Sequence, residues 1–172
     1  LTECSPVACC NPLEGENKEN SVGMPVPGTT ITITDRDDPH TVKPQGEIGE
    51  ICIEGPQVMT GYWNRPDATA DTIIDGRLHT GDVGYMDEEG YTFIIDRMKD
   101  LILVGGFNVY PRNVEEGIYK HPAVEEVTVI GVPDEYQGQS VKAFVKLKAN
   151  QTLNADTLTA FLREQLGKHE IP

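Results

Sequence analysis

Residues 29–34 read Thr-Thr-Ile-Thr-Ile-Thr, an alternation of branched side chains with period two that predicts a strand. A polar turn with two prolines follows over 35–45. A second strand is predicted over Gly-Glu-Ile-Cys-Ile-Glu at 49–54, ended by Gly55-Pro56. Pro66 suits the first turn of a short helix over 66–74, because its missing N–H would have no helical partner there. Two further strands, 83–86 and 91–95, flank Asp87-Glu88-Glu89-Gly90, a hairpin turn. Strands without long helices between them predict a small antiparallel barrel or sheet. Residues 1–30, with Pro6, Pro12, Pro25 and Pro27, have no period and are expected to form a surface loop, disordered where packing partners are missing.

After Arg97 the pattern changes. A short strand over 101–104 closes on Gly105-Gly106. Residues 111–119 carry a helical stripe of Val114, Ile118 and Tyr119, stopped by His121-Pro122. A β-branched strand is predicted over 124–132. A second, over 140–148, turns Val141, Ala143, Val145 and Leu147 inward. Asn154 caps a last helix through Leu166, with Leu158, Phe161, Leu162 and Gln165 at helical spacing. The order β, α, β, β, α predicts an α+β unit. The fold class is therefore α+β: a small antiparallel β-barrel or sheet subdomain followed by a compact α+β domain.

Charge and cysteine content narrow the partners. The formal net charge of -14 repels phosphate backbones and anionic lipid surfaces, so no nucleic acid partner is expected. A local site can still oppose that sign and take an anionic ligand. The four cysteines include no CxxC pair and no companion histidine cluster, which argues against zinc. They read as reduced thiols of a cytosolic protein, ahead of a secreted disulfide framework. No apolar run is long enough for a transmembrane segment. Leu1 stands where an initiator Met would, so the chain is expected to be a piece of a longer polypeptide.

Three short motifs carry candidate chemistry, and each has a plain structural alternative. In His79-Thr80-Gly81-Asp82 a turn presents a carboxylate that can accept two hydrogen bonds from a ribose diol, or merely cap its own backbone. Asp96-Arg97-Met98-Lys99-Asp100 is either a solvated edge or a strip that binds sugar and phosphate oxygens. Gly105-Gly106-Phe107-Asn108-Val109-Tyr110-Pro111 allows close approach of a ligand to the backbone, and equally a tight turn.

The order and spacing of these motifs resemble the adenylate-forming, AMP-binding superfamily of acyl-CoA synthetases, aryl-CoA ligases, peptide-synthetase adenylation domains and luciferases. The matching stretches run from Leu1-Thr2-Glu3 through 46–55, Gly61-Tyr62-Trp63, His79 to Asp82, 87–90, 96–102 and 105–115 to 129–134 and 138–144. Gly-Phe-Asn-Val-Tyr-Pro at 106–111 is similar to bacterial long-chain fatty-acid CoA ligases. The resemblance implies a fatty-acid substrate, with ATP, Mg2+ and coenzyme A, in lipid metabolism. It implies that Thr2 touches the adenylate phosphate and that Glu3 helps hold magnesium. Asp82 and Arg97 would contact the ATP or AMP ribose. Lys99 would be the hinge, and Gly105, Gly106 and Phe107 would line the CoA channel. It divides the chain into 1–96, the end of a large N-terminal domain, 97–100, the hinge, and 101–172, a truncated small domain. The expected location is cytoplasmic, with peripheral membrane association of the full-length enzyme as the alternative.

The resemblance also implies missing parts. The family's glycine-rich phosphate loop and most of the acid pocket would precede Leu1, and its adenylation lysine would follow Pro172; Lys168 does not match it. The chain alone is therefore expected to be inactive. Alternatives are another acyl- or aryl-CoA ligase, a carrier-protein-loading adenylation domain, or a non-catalytic binding module of the same fold. Lys99 favours a CoA ligase, since peptide-synthetase domains usually carry Asp at the hinge.

Overall fold

The computed structural model describes residues Leu1–Pro172, which divide into a unit spanning Leu1–Met98 and another spanning Lys99–Pro172. It is an α+β fold built on two antiparallel sheets.

The first unit contains strands β1 (Cys9–Cys10), β2 (Ser21–Pro25), β3 (Thr30–Thr34), β4 (Gly49–Glu54), β5 (Ile73–Ile74), β6 (Arg77–Met86) and β7 (Thr92–Arg97), with helix α1 over Pro66–Thr72. Its seven strands follow the order β1-β2-β7-β6-β4-β3, and β5 pairs with β6. The period-two alternation at Thr30–Thr34 turns Ile31 and Ile33 into a core shared with Ile51, Ile53, Leu78 and Cys4. β4 is buried from Gly49 to Ile53, so both of its faces are covered.

The opening thirty residues depart from the loop expectation. Thr2–Cys4 is a single 3-10 turn with Cys4 fully buried, and β1 and β2 extend the sheet beyond β7. β1 has only two residues, and β2 carries Gly23 and Pro25 in place of an alternation, so long-range pairing supplies their order instead. Gly23 explains the close approach there: an added Cβ would lie 2.1 Å from the Cys10 backbone.

The second unit contains β8 (Ile102–Val104), β9 (Phe107–Val109), helix α2 (Pro111–Tyr119), β10 (Val124–Asp134), β11 (Gly138–Leu147) and helix α3 (Ala155–Leu162), with the sheet ordered β10-β11-β8-β9. Val114 and Ile118 of α2 pack with Ile102, Val109, Val129 and Leu162. Tyr119 does not join them, and is 50% exposed. It lies about 100° around the helix from Ile118, and Gly117 faces inward against Leu166 instead. The last helix ends at Leu162, four residues before the expected Leu166. Its hydrogen bonds tighten there, Gln165 N–H reaching Leu162 O at 2.9 Å. Asn154 caps it as expected, its Oδ1 accepting from Thr157 N–H at 2.8 Å.

No helix is long and apolar enough to cross a membrane, and all four cysteines are free thiols.

Candidate functional site

The His-Thr-Gly-Asp motif lies inside β6, at an interruption of its pairing with β4. Cys52 pairs with His79 and Glu50 with Val83, so Thr80, Gly81 and Asp82 together stand opposite Ile51. Such a bulge bends the strand and re-aims side chains. Gly81 supplies the positive φ of 71° that the bend requires. Side chains replace the lost ladder bonds. Thr80 O–H donates to Ile51 O at 2.7 Å, Asp82 N–H donates to Thr80 Oγ1 at 3.1 Å, and Gly81 N–H donates to Glu50 Oε1 at 2.9 Å.

Asp82 emerges opposite Arg97 on β7, and Arg97 Nε meets Asp82 Oδ1 at 2.7 Å. The aspartate side chain is mostly covered at 17% exposure, whereas the arginine is half exposed at 52%. Burial raises the Asp82 pKa above the ordinary aspartate value; the charge and hydrogen bond of Arg97 oppose that rise, and nearby Glu50 adds to it. A carboxylate has about four acceptor sites, so the pair with Arg97 leaves room for hydroxyl donors. Asp82, Thr80 and Thr92 border a cavity of about 250 Å3 whose remaining lining is largely apolar, with Leu1, Ile51 and Ile94.

Glu3 occupies the 3-10 turn that begins one residue after Leu1. Its carbonyl accepts from Met59 N–H at 2.8 Å, and its carboxylate accepts from Tyr62 O–H at 3.0 Å. Thr2, beside it, is exposed. Glu3 thus offers a hard oxygen donor held from two sides, the donor type that magnesium takes. The structure therefore brings together Asp82 with Arg97, and sets Leu1, adjacent in sequence to Thr2 and Glu3, on the cavity that Asp82 borders.

The remaining predicted residues belong to the second unit. Lys99 is exposed, in a single 3-10 turn over Met98–Asp100 at the boundary between the units. Gly105 and Gly106 form a two-residue hairpin turn between paired Val104 and Phe107, with φ of 57° and 86°. Two successive positive φ values are what a tight turn of this hand needs. Phe107 is 58% exposed and stacks on His169 with ring centroids 4.7 Å apart.

Sequence reasoning missed the partners of these residues. Glu50, Thr80 and Tyr62 lay inside recognised motifs without a role, because their contacts join positions 29 to 59 residues apart in the chain. It also missed a buried cluster of Glu50, Cys52 and His79, whose donor atoms lie within 4.8 Å of one another. The cluster is a hydrogen-bonded network: His79 Nδ1 meets Glu50 Oε2 at 2.7 Å and Cys52 Sγ at 3.4 Å. Burial pushes the Cys52 thiol up to about 11, so the free thiol stays protonated at neutral pH.

Residues 1–63 match the AMP-binding enzyme family, and residues 113–172 match the AMP-binding enzyme C-terminal domain. A long-chain-fatty-acid–CoA ligase of Bacillus subtilis is 49% identical over 172 residues, which are 100% of this chain and 30% of that protein. The fatty acid–[acyl-carrier-protein] ligase ScoC of Streptomyces coeruleorubidus is 42% identical over 176 residues, covering 100% of this chain and 34% of that protein. Among solved structures, ATP-bound MatB from Rhodopseudomonas palustris superposes with a TM-score of 0.94 at 38% identity, covering 100% of this chain and 34% of MatB. The chain thus spans about a third of the length of the relatives it matches.

Proposed function

The chain belongs to the AMP-binding enzyme family, and from that premise we propose that it is the carboxyl-terminal part of an ATP-dependent long-chain fatty-acid–CoA ligase. The observation that carries the acid is the 49% identity over the full chain to a ligase of that description. The observation that carries the nucleotide is the mostly covered Asp82 carboxylate, held at 2.7 Å from Arg97 on a strand bulge.

In the proposed reaction the fatty acid carboxylate attacks the α-phosphorus of ATP, forming the acyl-adenylate and releasing pyrophosphate. The CoA thiol, losing its proton, then attacks the acyl carbonyl, and AMP leaves. Asp82 accepts hydrogen bonds from the ribose diol, while the Arg97 fork opposes the rise that burial gives the Asp82 pKa and contacts sugar oxygens. Thr2 faces the phosphate. Glu3, oriented by Tyr62, would hold Mg2+, which when bound neutralises charge on the phosphate oxygens. Residues 1–96 close the large nucleotide-binding domain, and 97–100 form the hinge about which 101–172 turns between half-reactions, pivoting at Lys99. Gly105, Gly106 and Phe107 then line the CoA channel.

A carrier-protein thiol in place of CoA is the second reading, favoured by the 42% identity to ScoC. Both are tested on the full-length enzyme with ATP, Mg2+ and acids of graded chain length, with CoA or acyl-carrier protein as acceptor. The proposal expects AMP and pyrophosphate release with kcat/KM rising towards long acids, and CoA as acceptor. A preference for short or aromatic acids would overturn the substrate, and turnover with carrier protein alone would overturn the acceptor. Turnover by the 172-residue chain by itself would overturn its role as one part of the enzyme.

A further inference from the structure

Glu50 is the most deeply placed acidic residue of the first unit, 7% exposed on β4. A carboxylate in such a position is costly unless its acceptor sites are filled. Both oxygens are engaged. Oε2 lies 2.7 Å from His79 Nδ1, which must carry the proton to bond a carboxylate, and Oε1 accepts from Gly81 N–H at 2.9 Å. These partners are the residues three and one before Asp82. The Gly81 amide has lost its ladder partner because three residues of β6 stand opposite Ile51. Glu50 therefore closes the bulge from beneath, where a backbone carbonyl would otherwise stand.

We infer that Glu50 is a positioning residue for nucleotide binding: its carboxylate ties His79 to Gly81 and so fixes the bulge that aims Asp82. Glu50 does not touch the ligand itself. The inference deepens the proposed function and rests on its reading of Asp82 as the ribose acceptor. The charge matters as well as the shape, since hydrogen bonds to an ionised acceptor are about twice as strong as neutral ones. Cys52 and Thr34 complete the packing around this carboxylate and imidazole, the Thr34 hydroxyl lying 3.2 Å from Cys52 Sγ.

The test uses the full-length ligase with Glu50→Ala, Glu50→Gln and Asp82→Asn, and the same variants of the 172-residue chain for amide exchange. Glu50→Ala is expected to raise KM for ATP about tenfold or more, the loss of a hydrogen bond to a charged group, while KM for the fatty acid changes less than about twofold. Glu50→Gln keeps a neutral acceptor for Gly81 N–H but loses the charge and the acceptor for His79 Nδ1, and is expected to recover only part of that loss. In the chain, Gly81 amide exchange should accelerate at least tenfold in Glu50→Ala, with β10 amides unaffected. A structural role alone would lower active protein and every kinetic parameter together. An unchanged KM for ATP in folded Glu50→Ala, or an unchanged Gly81 exchange rate, would overturn the inference. If Asp82→Asn leaves KM for ATP unaltered, the nucleotide reading fails, and Gly81 exchange still decides whether Glu50 fixes the bulge.

Discussion

Gly84→Ala probes a close backbone approach near the Asp82 site. Gly84 stands on β6 between Gly49 of β4 and Ile94 of β7. Its φ lies outside the left-handed region, so alanine meets no dihedral penalty there; the obstacle is space. An added Cβ would lie 2.2 Å from Phe93 O and 2.7 Å from Ile51 Cδ1. Ordinary carbon-to-oxygen contact begins at about 3.3 Å, so β6 and β7 must part by about 1 Å. Ladder hydrogen bonds occupy only about 2.7–3.2 Å, and a displacement of that size breaks those flanking the site. Two such bonds at about 1 kcal/mol each, with an overpacking cost of about 1–3 kcal/mol, predict a loss of about 3 kcal/mol or more. That is a large part of the ~5–15 kcal/mol typical of a domain.

Urea unfolding of the 172-residue chain, followed by far-ultraviolet circular dichroism, should show the first unit's midpoint falling by about 1–2 M. Gly76→Ala is the control: nothing lies within 4 Å of its added Cβ, and only its φ of +78° is strained, at about 1–2 kcal/mol. The reasoning fails if Gly84→Ala costs less than about 1 kcal/mol, or if the two variants are equally destabilised.

Two further outcomes follow from the electrostatics. Burial raises the Asp82 pKa in the folded state, so protonation of this group favours folding; that contribution is complete below the unfolded value of about 4 and is lost as pH rises through the folded one. Arg97→Met removes the opposing charge and should push Asp82 higher, carrying the loss of stability to higher pH; a carboxyl carbon NMR titration showing the Asp82 pKa unmoved or lower would refute this. Thiol labelling at pH 7.4 should modify exposed Cys10 first, whereas Cys52, buried and raised to about 11, is about 0.03% thiolate and should label only on unfolding; mass mapping that found Cys52 modified in the folded chain would contradict its burial.

Legibility in the sequence followed contact range. Thr30–Thr34, Gly49–Glu54 and the capped helix starting at Ala155 were readable because their signals are local: alternation, an apolar run, an Asn before a helical stripe. The α+β class followed from the order of such segments. β1 and β2 were not readable, since β1 has two residues and β2, with Gly23 and Pro25, carries no alternation; both are ordered by pairing. The extent of α2 was legible, but the side on which Tyr119 would lie was not, because Gly117 carries no hydrophobic signal while providing the close contact. At the site, Asp82 and Arg97 stood out by type and motif, but their juxtaposition depends on the register of β6 against β7. Glu50 read as an ordinary strand acid, because its partners His79 and Gly81 lie 29 and 31 residues away.

The bulge in β6 has an even count, with consequences for how the fold can change. Removing Thr80 and Gly81 together would set Asp82 directly opposite Ile51 while Cys52↔His79 and Glu50↔Val83 stayed in register. Side-chain parity along the strand would be conserved, because alternation repeats every two residues. A single in-frame excision of six nucleotides could thus flatten the carboxylate into the sheet and erase its aim without reversing either face. The aimed carboxylate of Asp82 is in this sense a detachable insert on a self-sufficient scaffold, and a descendant could lose it yet keep the architecture.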